Sequence, residues 1–368
     1  MIKEAYEQSI KVLEKCATSH GFFAANPGYD MVFARDSMII SLGASLLREK
    51  FKQVYKNSLK TLADNQSGKG QIPNAVDKFS QRKHHVDYQS IDSSLWFLIG
   101  EYVYKKRYKD NSLFRSHQKN IDKAVIWLTY QDFSEVGLLV QPPTTDWQDA
   151  FPHRYGYTIN TQALWYYVLI HFNKKKEAEK LKKLVNENKN VQLWDKEYYL
   201  AYRWKNHGKY HEKSDWFDSL GNILAILFDL ADKAKAEKIL SYIKNHYIDQ
   251  PYPIKALDPP ITPSSHYWHD YYRDCAAGVP HQYLNGGIWT YIGGFYVLAL
   301  IKEKKFYEAE RQLQKLAQAN LSTKFTEWIN GKTGREGDTQ AGTKSVQGWN
   351  AATYILAFNS LKAKKALI

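Results

Sequence analysis

Two kinds of helical segment alternate along the chain. Six segments carry Lys and Glu on one face and apolar residues on the other, as half-exposed helices do; they are residues 2–17, 51–66, 115–130, 174–190, 232–247 and 305–319. Six others are apolar or small almost throughout, which is typical of buried helices: residues 36–48, 92–104, 160–171, 217–230, 287–302 and 347–362. Alternation with the period of a β-strand is scarce.

The strict alternation predicts six hairpins, each with one outer and one inner helix, that close into a double-layered ring. This all-α fold is an (α/α)6 barrel. Nothing in the middle of the chain resembles a linker, so we expect a single domain over residues 1–368. A helical solenoid is the alternative, but the spacings are unequal and no residue signature recurs from pair to pair.

Long loops precede the inner helices and carry polar residues that a core would not choose. The loops are residues 67–91, 131–159, 195–216, 249–286 and 320–346. Loops of this length in a compact domain are usually functional. The polar residues in these loops or at the starts of the inner helices include Arg35, Asp36, Asp87, Asp92, Asp146, Asp149, Asp215, Asp218, Asn285 and Glu327. An Asp at a helix start also caps the helix, but together these residues predict an acidic pocket at one end of the ring.

Composition indicates what such a pocket would bind. Eleven Trp, 27 Tyr and 16 Phe exceed the needs of packing, and aromatic rings suit the apolar faces of sugars. The net charge of +13 lies mainly on Lys runs of the outer helices, without a nucleic-acid recognition motif. We therefore expect a neutral polyol ligand and no nucleic-acid partner.

Targeting signals are also missing from the sequence. The N-terminal segment is amphipathic and lacks the features of a signal peptide, and no apolar run approaches the roughly 20 residues of a membrane span. Cys16 and Cys275 are too few and too far apart for a disulfide framework. We expect a cytoplasmic protein with no membrane partner.

Glycoside hydrolysis needs two carboxyl groups across the scissile bond. Asp149 lies among aromatic residues in TTDWQDAFPHRYGYTINTQALWYY, where low polarity would raise its pKa as a general acid requires. Asp146 is its rival, and the composition of the segment does not separate the two. Glu327, in KFTEWINGKTG, stands between Phe325 and Trp328.

The sequence lacks the motifs of other common classes of enzyme. The chain has no GxSxG elbow, no HExxH pair and no GxxxxGK[ST] loop. The pairs His84-His85 and His266/His269 come without the further ligands of a metal site. We expect no metal and no cofactor.

Six segments, in order, resemble the amylo-α-1,6-glucosidase (glycogen debranching) catalytic domain of bacteria and archaea and, more distantly, the alkaline/neutral invertases. They are FARDS (33–37), VDYQSIDSSLWF (86–97), TDWQDAFPHRYGYTINTQALWY (145–166), LNGGIWTYIGGF (284–295), FTEWINGKTG (325–334) and KSVQGWNAATYILAF (344–358). Both groups are inverting (α/α)6-barrel glycosidases. Two positions depart from them: Asn330 replaces an Asp of the debranching enzymes, and Leu284 replaces the His of the invertase HNGG segment.

The resemblance implies roles for particular residues. Asp149 matches the general acid and Glu327 the general base, while Arg35 and Asp36 match positions that hold the sugar at the −1 subsite. Asp92 matches an Asp of a DATLWF-like motif. The remaining substrate-binding residues implied by these segments are Trp147, Tyr155, Gln162, Asn285, Trp289, Gln347 and Trp349.

The sequence therefore predicts an inverting glycoside hydrolase that releases a glucosyl residue from the non-reducing end of a small α-glucoside. Sucrose is a second candidate substrate, and a charged glucoside a third. From other classes, a sugar epimerase that uses the His pairs and a non-catalytic carbohydrate-binding barrel stay open.

Overall fold

A computed structural model describes residues 1–77, 85–204, 212–274, 278–337 and 345–368. The α-helices in these ranges are α1 Ile2–Cys16, α2 Ala34–Ala44, α3 Lys52–Asp64, α4 Asp92–Tyr108, α5 Ser112–Ser116, α6 Gln118–Thr129, α7 Ile159–His171, α8 Lys175–Glu187, α9 Ser219–Leu227, α10 Lys233–Asn245, α11 Thr290–Lys302, α12 Phe306–Ser322 and α13 Gly348–Ala363. Two 3-10 helices span Ser45–Phe51 and Asp270–Asp274.

Six helices form an inner ring. Helices α2, α4, α7, α9, α11 and α13 each contact the next, and α13 contacts α2. Every residue of α2 is buried, because neighbours surround this helix on all sides. The outer helix α8 buries only Ala178, Leu181 and Val185, which form a single stripe along the helix. The predicted (α/α)6 barrel is confirmed.

Most helix boundaries lie within four residues of the prediction, and the differences include those at α2, α9 and α5. Helix α2 ends at Ala44, because the chain continues as a 3-10 helix in which Arg48 has a φ of 55°. Helix α9 is shorter than predicted, because residues 217 and 218 pair with residues 257 and 258 as strands. The short helix α5 was not predicted.

Eleven strands of two residues each occur in the described ranges, mostly in the loops before the inner helices. They are β1 Ala17–Thr18, β2 Gly21–Phe22, β3 Val32–Phe33, β4 Ala75–Val76, β5 Val86–Asp87, β6 Tyr157–Thr158, β7 Trp194–Asp195, β8 Tyr198–Tyr199, β9 Tyr202–Arg203, β10 Phe217–Asp218 and β11 Leu257–Asp258. They form the antiparallel pairs β1–β2, β3–β4, β4–β5, β6–β9, β7–β8 and β10–β11.

Backbone pairing joins these loops into a closed circle. The sheets β3–β4–β5, β6–β9 and β10–β11 each link the loop or start of one inner helix to the next. The remaining links are a hydrogen bond from the Ile91 amide to the Thr145 carbonyl and the bridges Ile288–Ile329 and Ala25–Gln347. Side chains from all six loops are thereby held at the N-terminal end of the inner ring.

None of the helices in the described ranges is both long and apolar enough to cross a membrane.

The junction that closes the ring depends on a small residue. A Cβ atom on Gly43 of α2 would lie 2.0 Å from the carbonyl oxygen of Ala352 in α13. Only glycine therefore allows the two helices to approach this closely.

We expect Gly43→Ala to lower the free energy of unfolding by about 1–3 kcal/mol, because the added methyl group must push α2 and α13 apart. Gly68→Ala is the control, since a Cβ there meets nothing within 4 Å. Chemical denaturation of both variants measures the difference, and equal stability would contradict the packing described for this junction.

Candidate active site

A cavity of about 70 Å³ opens where the loops before the inner helices meet. A single water molecule needs roughly 10–15 Å³ by the same measure, so the cavity has room for several. Eight of the predicted site residues line it: Arg35, Asp36, Trp147, Asp149, Trp289, Glu327, Gln347 and Trp349. Ala24, Tyr29, Phe33 and Tyr283 complete the lining.

Asp149 and Glu327 bring two carboxyl groups to this cavity from different loops. Glu327 is 7% exposed, and the Tyr29 hydroxyl donates to it, 3.2 Å from Oε1 and 3.4 Å from Oε2. Burial raises the pKa of Glu327 to about 7, although the Tyr29 hydrogen bond lowers it; the charge of Asp149 raises it further. The two carboxyl groups therefore influence each other's ionisation.

Asp149 is an exposed residue, and its side chain lines the cavity. Protein atoms packed around the carboxyl group limit its hydration and thereby raise the pKa of Asp149, whereas the charge of Arg35 lowers it. No side chain of the described residues donates a hydrogen bond to its carboxyl group. Its oxygens are therefore available to a bound molecule.

Arg35 and Asp36 occupy the start of α2. Arg35 Nη1 lies 3.1 Å from both carboxylate oxygens of Asp92, which is fully buried at the start of α4 and also accepts from the Ser90 hydroxyl. Arg35 Nε is 3.8 Å from Asp36 Oδ2. Burial raises the pKa of Asp36 to about 6, although Arg35 lowers it. Asp92 thus fixes the arginine, and Asp36 faces the cavity.

Arg154 holds the loop that carries Asp149. It is buried between two carboxylates, with Nη2 2.5 Å from Asp146 Oδ2 and Nη1 2.6 Å from Asp218 Oδ2. Asp146 also accepts from the Gln141 side chain and from the backbone amide of residue 148. Asp146 does not line the cavity. Its carboxylate anchors the loop, whereas that of Asp149 faces the cavity.

Three tryptophans and Tyr291 pack into one aromatic cluster beside the carboxyl groups. The ring of Tyr291 stacks on Trp349 with centroids 4.2 Å apart, and Trp147 meets Trp289 edge-on at 5.6 Å. Trp289 also meets Trp349 edge-on at 5.9 Å. Each ring fixes its neighbour, so the walls of the cavity are preformed.

Several buried polar atoms of the lining residues have no hydrogen-bond partner among the described residues. They are Arg35 Nε, Trp147 Nε1, Gln347 Oε1 and Trp349 Nε1. Buried polar groups are normally paired, and leaving one unpaired costs about 1–3 kcal/mol. Three donors and one acceptor, all on residues that line one cavity, are suited to a hydroxyl-rich molecule.

Four predicted binding residues lie outside the cavity lining. Asp92 binds Arg35, and Tyr155 stacks on Tyr202 at 4.9 Å. The Gln162 side chain bonds both backbone groups of Leu139, and that of Asn285 bonds Ile261 and Gly278. Both side-chain amides thus bond backbone groups that have no partner in a helix or sheet. The prediction that Gln162 and Asn285 bind the sugar is therefore corrected.

The sequence analysis did not single out Tyr29 and Tyr283. Tyr29 lies in NPGYD (26–30), where Gly28 has a φ of 127° and turns the chain back toward the cavity. Tyr283 directly precedes the LNGG segment, and burial followed by the charges of Glu327 and Asp149 raises its pKa well above the ordinary value. Two features of the sequence could have indicated these residues: the glycine turn that contains Tyr29 and the LNGG motif that follows Tyr283.

None of the histidines in the described ranges lines the cavity. His266 packs on Tyr267 and His269 on His153, with ring centroids 3.7 Å and 4.3 Å apart. His84 lies outside the described residues. Within the described ranges, no three His, Cys, Asp or Glu side chains are grouped so as to hold a metal ion.

The profile of the family described as amylo-alpha-1,6-glucosidase matches residues 8–356. The chain belongs to this family. Membership places it among enzymes of the glycosidase type.

The similar sequences align with only part of the chain, and the similar structures share its fold at low sequence identity. Probable alkaline/neutral invertase D of Arabidopsis thaliana is 31% identical over 145 residues, which is 39% of this chain and 26% of that protein. Neutral/alkaline invertase 1, mitochondrial, of Oryza sativa subsp. japonica is 31% identical over 142 residues, 38% of this chain and 22% of that protein. The aligned segment therefore spans about a quarter of each relative.

Among solved structures, the GH63 mannosylglycerate hydrolase of Thermus thermophilus, in complex with Tris and D-glycerate, superposes with a TM-score of 0.72 at 12% identity. It covers 95% of this chain and 99% of that one. A glycosidase variant in complex with glucose superposes with a TM-score of 0.68 at 13% identity and covers 98% and 97%. At such identities the likeness is one of fold.

We expect Arg154→Met to lower the free energy of unfolding by about 3–5 kcal/mol, because it leaves Asp146 and Asp218 buried without their cation. Lys213→Met removes an exposed partner of Asp195 and is the control, with an expected change of about 0–1 kcal/mol. Urea denaturation at neutral pH measures both. A similar small loss in the two variants would show that the buried ion pairs do not hold this loop.

Proposed function

We propose that this protein hydrolyses an α-linked glucosyl residue from the non-reducing end of a small neutral saccharide, with inversion of the anomeric centre. Asp149 acts as the general acid and Glu327 as the general base. The observation that carries the proposal is that these two carboxyl groups, from separate loops, line one aromatic cavity. A glycosidase needs such a pair on either side of the scissile bond.

The surroundings of each carboxyl group support its role. Hydrogen bonding to a charged group favours that charged form, so the Tyr29 hydroxyl favours ionised Glu327, as a general base requires. No side chain of the described residues donates to Asp149, and the limited hydration of its carboxyl group raises its pKa. With two carboxyl groups on one cavity, the pair retains a proton more readily than either would alone, and we place that proton on Asp149.

In the proposed reaction, the glucosyl ring lies between the two carboxyl groups. Asp149 gives its proton to the glycosidic oxygen, and the bond from that oxygen to the anomeric carbon breaks. Glu327 removes a proton from a water molecule, which attacks the anomeric carbon from the opposite face. The product is the free sugar of inverted configuration.

The unpartnered atoms of the cavity support a pyranose at this position. Trp147 Nε1 and Trp349 Nε1 donate to sugar oxygens, and Gln347 Oε1 accepts from a hydroxyl. The carboxylate of Asp36 accepts from another hydroxyl, and the tryptophan rings offer faces to the apolar side of the sugar.

The charge of the lining favours a neutral substrate over a carboxylate-bearing one. The described lining has one cation, Arg35, which Asp92 already holds, and three acidic residues: Asp36, Asp149 and Glu327. The similar fold of a mannosylglycerate hydrolase therefore does not lead us to propose a glycerate glycoside. Sucrose is the second candidate, favoured by the invertase names of the relatives.

Incubation with a panel of α-glucosides that includes isomaltose, maltose and sucrose, followed by proton NMR, tests the proposal. We expect β-glucose as the first product from a neutral glucoside. α-Glucose as the first product would contradict inversion. Epimerisation of a monosaccharide, or binding without turnover across the panel, would replace the proposal with an epimerase or a non-catalytic barrel.

We expect Asp149→Asn and Glu327→Gln each to lower kcat by about 10²–10⁴-fold, because each removes a proton-transfer group and keeps the side-chain shape. Glu237→Gln, on an exposed ion pair with Lys305, is the matched control and should keep full activity. Steady-state kinetics measures the effect, after equal unfolding midpoints establish folding. Unchanged turnover in either variant would refute that residue's role.

Tyr29→Phe tests the base through its pH dependence. Without the hydroxyl, the pKa of Glu327 rises further, and because the base must be ionised, the acidic limb of kcat/KM moves to higher pH by up to about one unit. Tyr130→Phe, at a residue 73% exposed, should leave the profile unchanged. If the acidic limb stayed in place or moved to lower pH, the result would contradict the proposal that Tyr29 lowers the pKa of the catalytic base Glu327.

A further inference from the structure

A second and larger cavity lies at the other end of the barrel. It has a volume of about 620 Å³ and opens between the C-terminal ends of α7, α9, α11 and α13. We call it the basal cavity; its aromatic walls are Tyr166, Tyr167, Phe228 and Phe306. Small-molecule sites commonly measure roughly 300–1,000 Å³. The proposed hydrolysis uses none of these residues.

Lysines dominate the charge of the basal cavity. Its lining contains Lys106, Lys302, Lys304, Lys364 and Lys365, and one acidic residue, Asp229. Asp229 is already paired with Lys302, at 2.8 Å from Oδ1 to Nζ. The other four lysines form no ion pair within the described residues, so they give the rim a net positive charge.

Positive charges lie close enough together at this rim to affect one another's ionisation. Burial, followed by the charges of Arg107 and Lys365, lowers the pKa of Lys106. Burial and the charge of Lys106 lower the pKa of His171 to about 4, so this ring is neutral at pH 7 and adds no repulsion. Like charges held together in this way would be stabilised by a bound anion.

The hydroxyl of Tyr167 provides an independent observation. Tyr167 lines the basal cavity and is 7% exposed, and its buried hydroxyl has no hydrogen-bond partner within the described part of the chain. The partial negative charge at helix C-termini explains why lysines are found there. It does not explain the cavity or give the Tyr167 hydroxyl a hydrogen-bond acceptor. An oxygen atom of a bound anion would be such an acceptor.

We propose that the basal cavity binds a small organic phosphate. The phosphate oxygens accept from Tyr167 and from the lysine ammonium groups of residues 106 and 365. The organic part packs on the rings of Phe228 and Phe306, which a fully hydrated inorganic ion would leave unused. The site is separate from the carboxyl cavity, so it does not depend on the proposed hydrolysis.

Isothermal titration calorimetry of the full chain at low ionic strength tests the proposal with three probes: inorganic phosphate, glucose 6-phosphate and ATP. We expect at least one of the two organic phosphates to bind with one site per chain, more tightly than inorganic phosphate, and more weakly as salt is added. No binding of either organic phosphate at millimolar concentration would overturn the proposal. Equal affinity for all three probes would overturn the organic phosphate assignment.

Two sets of variants locate the site. Lys106→Gln with Lys365→Gln removes two exposed rim charges and should weaken binding by at least about tenfold. Tyr167→Phe should weaken it by roughly two- to tenfold. Lys175→Gln with Lys176→Gln removes two exposed charges from α8 and is the control. An equal loss in the control would show binding to the general basic surface and would overturn the site.

Discussion

Contact between α13 and α2 is the constraint on which the rest of the structure depends. It turns a row of hairpins into a ring, and Gly43 makes the contact close enough. Ring closure also brings the loop before α13 to the loop before α2. The hydrogen bond from Tyr29 to Glu327 joins these two loops. The proposed base therefore has its hydrogen-bond donor only because the barrel closes.

The acidic residues at this end of the barrel divide into two groups by their partners. Asp92, Asp146 and Asp218 each bind a buried arginine, which fixes the loops and satisfies the carboxylates. Asp149 and Glu327 have no arginine or lysine within ion-pair distance in the described part of the chain. Carboxyl groups that lose hydration without such a cation nearby have raised pKa values, which acid and base catalysis requires.

Much of the fold could be predicted from the sequence, because inner and outer helices bury different fractions of their surface. The inner helices have no polar face, and the outer ones have a clear apolar stripe, so both kinds were recognised. The ends of α2 and α9 were not, because a 3-10 turn and a strand pair compete there.

The candidate site was harder to predict, because its contacts are made between loops distant in sequence. Sequence motifs indicated Asp149 and Glu327 but not Tyr29, which becomes a neighbour of Glu327 only when the ring closes. An amide in a motif looks the same whether it faces sugar or backbone, and Gln162 and Asn285 bind backbone. Asp146 and Asp149 lie in one short segment, but Arg154 and Gln141 bind the carboxylate of Asp146, whereas Asp149 lines the cavity.

The most direct test of the account is a crystal structure with a glucose-mimicking inhibitor soaked into the protein. The account predicts one sugar ring among Trp147, Trp289 and Trp349, with the carboxyl groups of Asp149 and Glu327 on its two faces, roughly 6.5–9.5 Å apart. A separation of about 5 Å would indicate a retaining enzyme and contradict the proposed mechanism. An inhibitor bound away from both carboxyl groups would contradict the site itself.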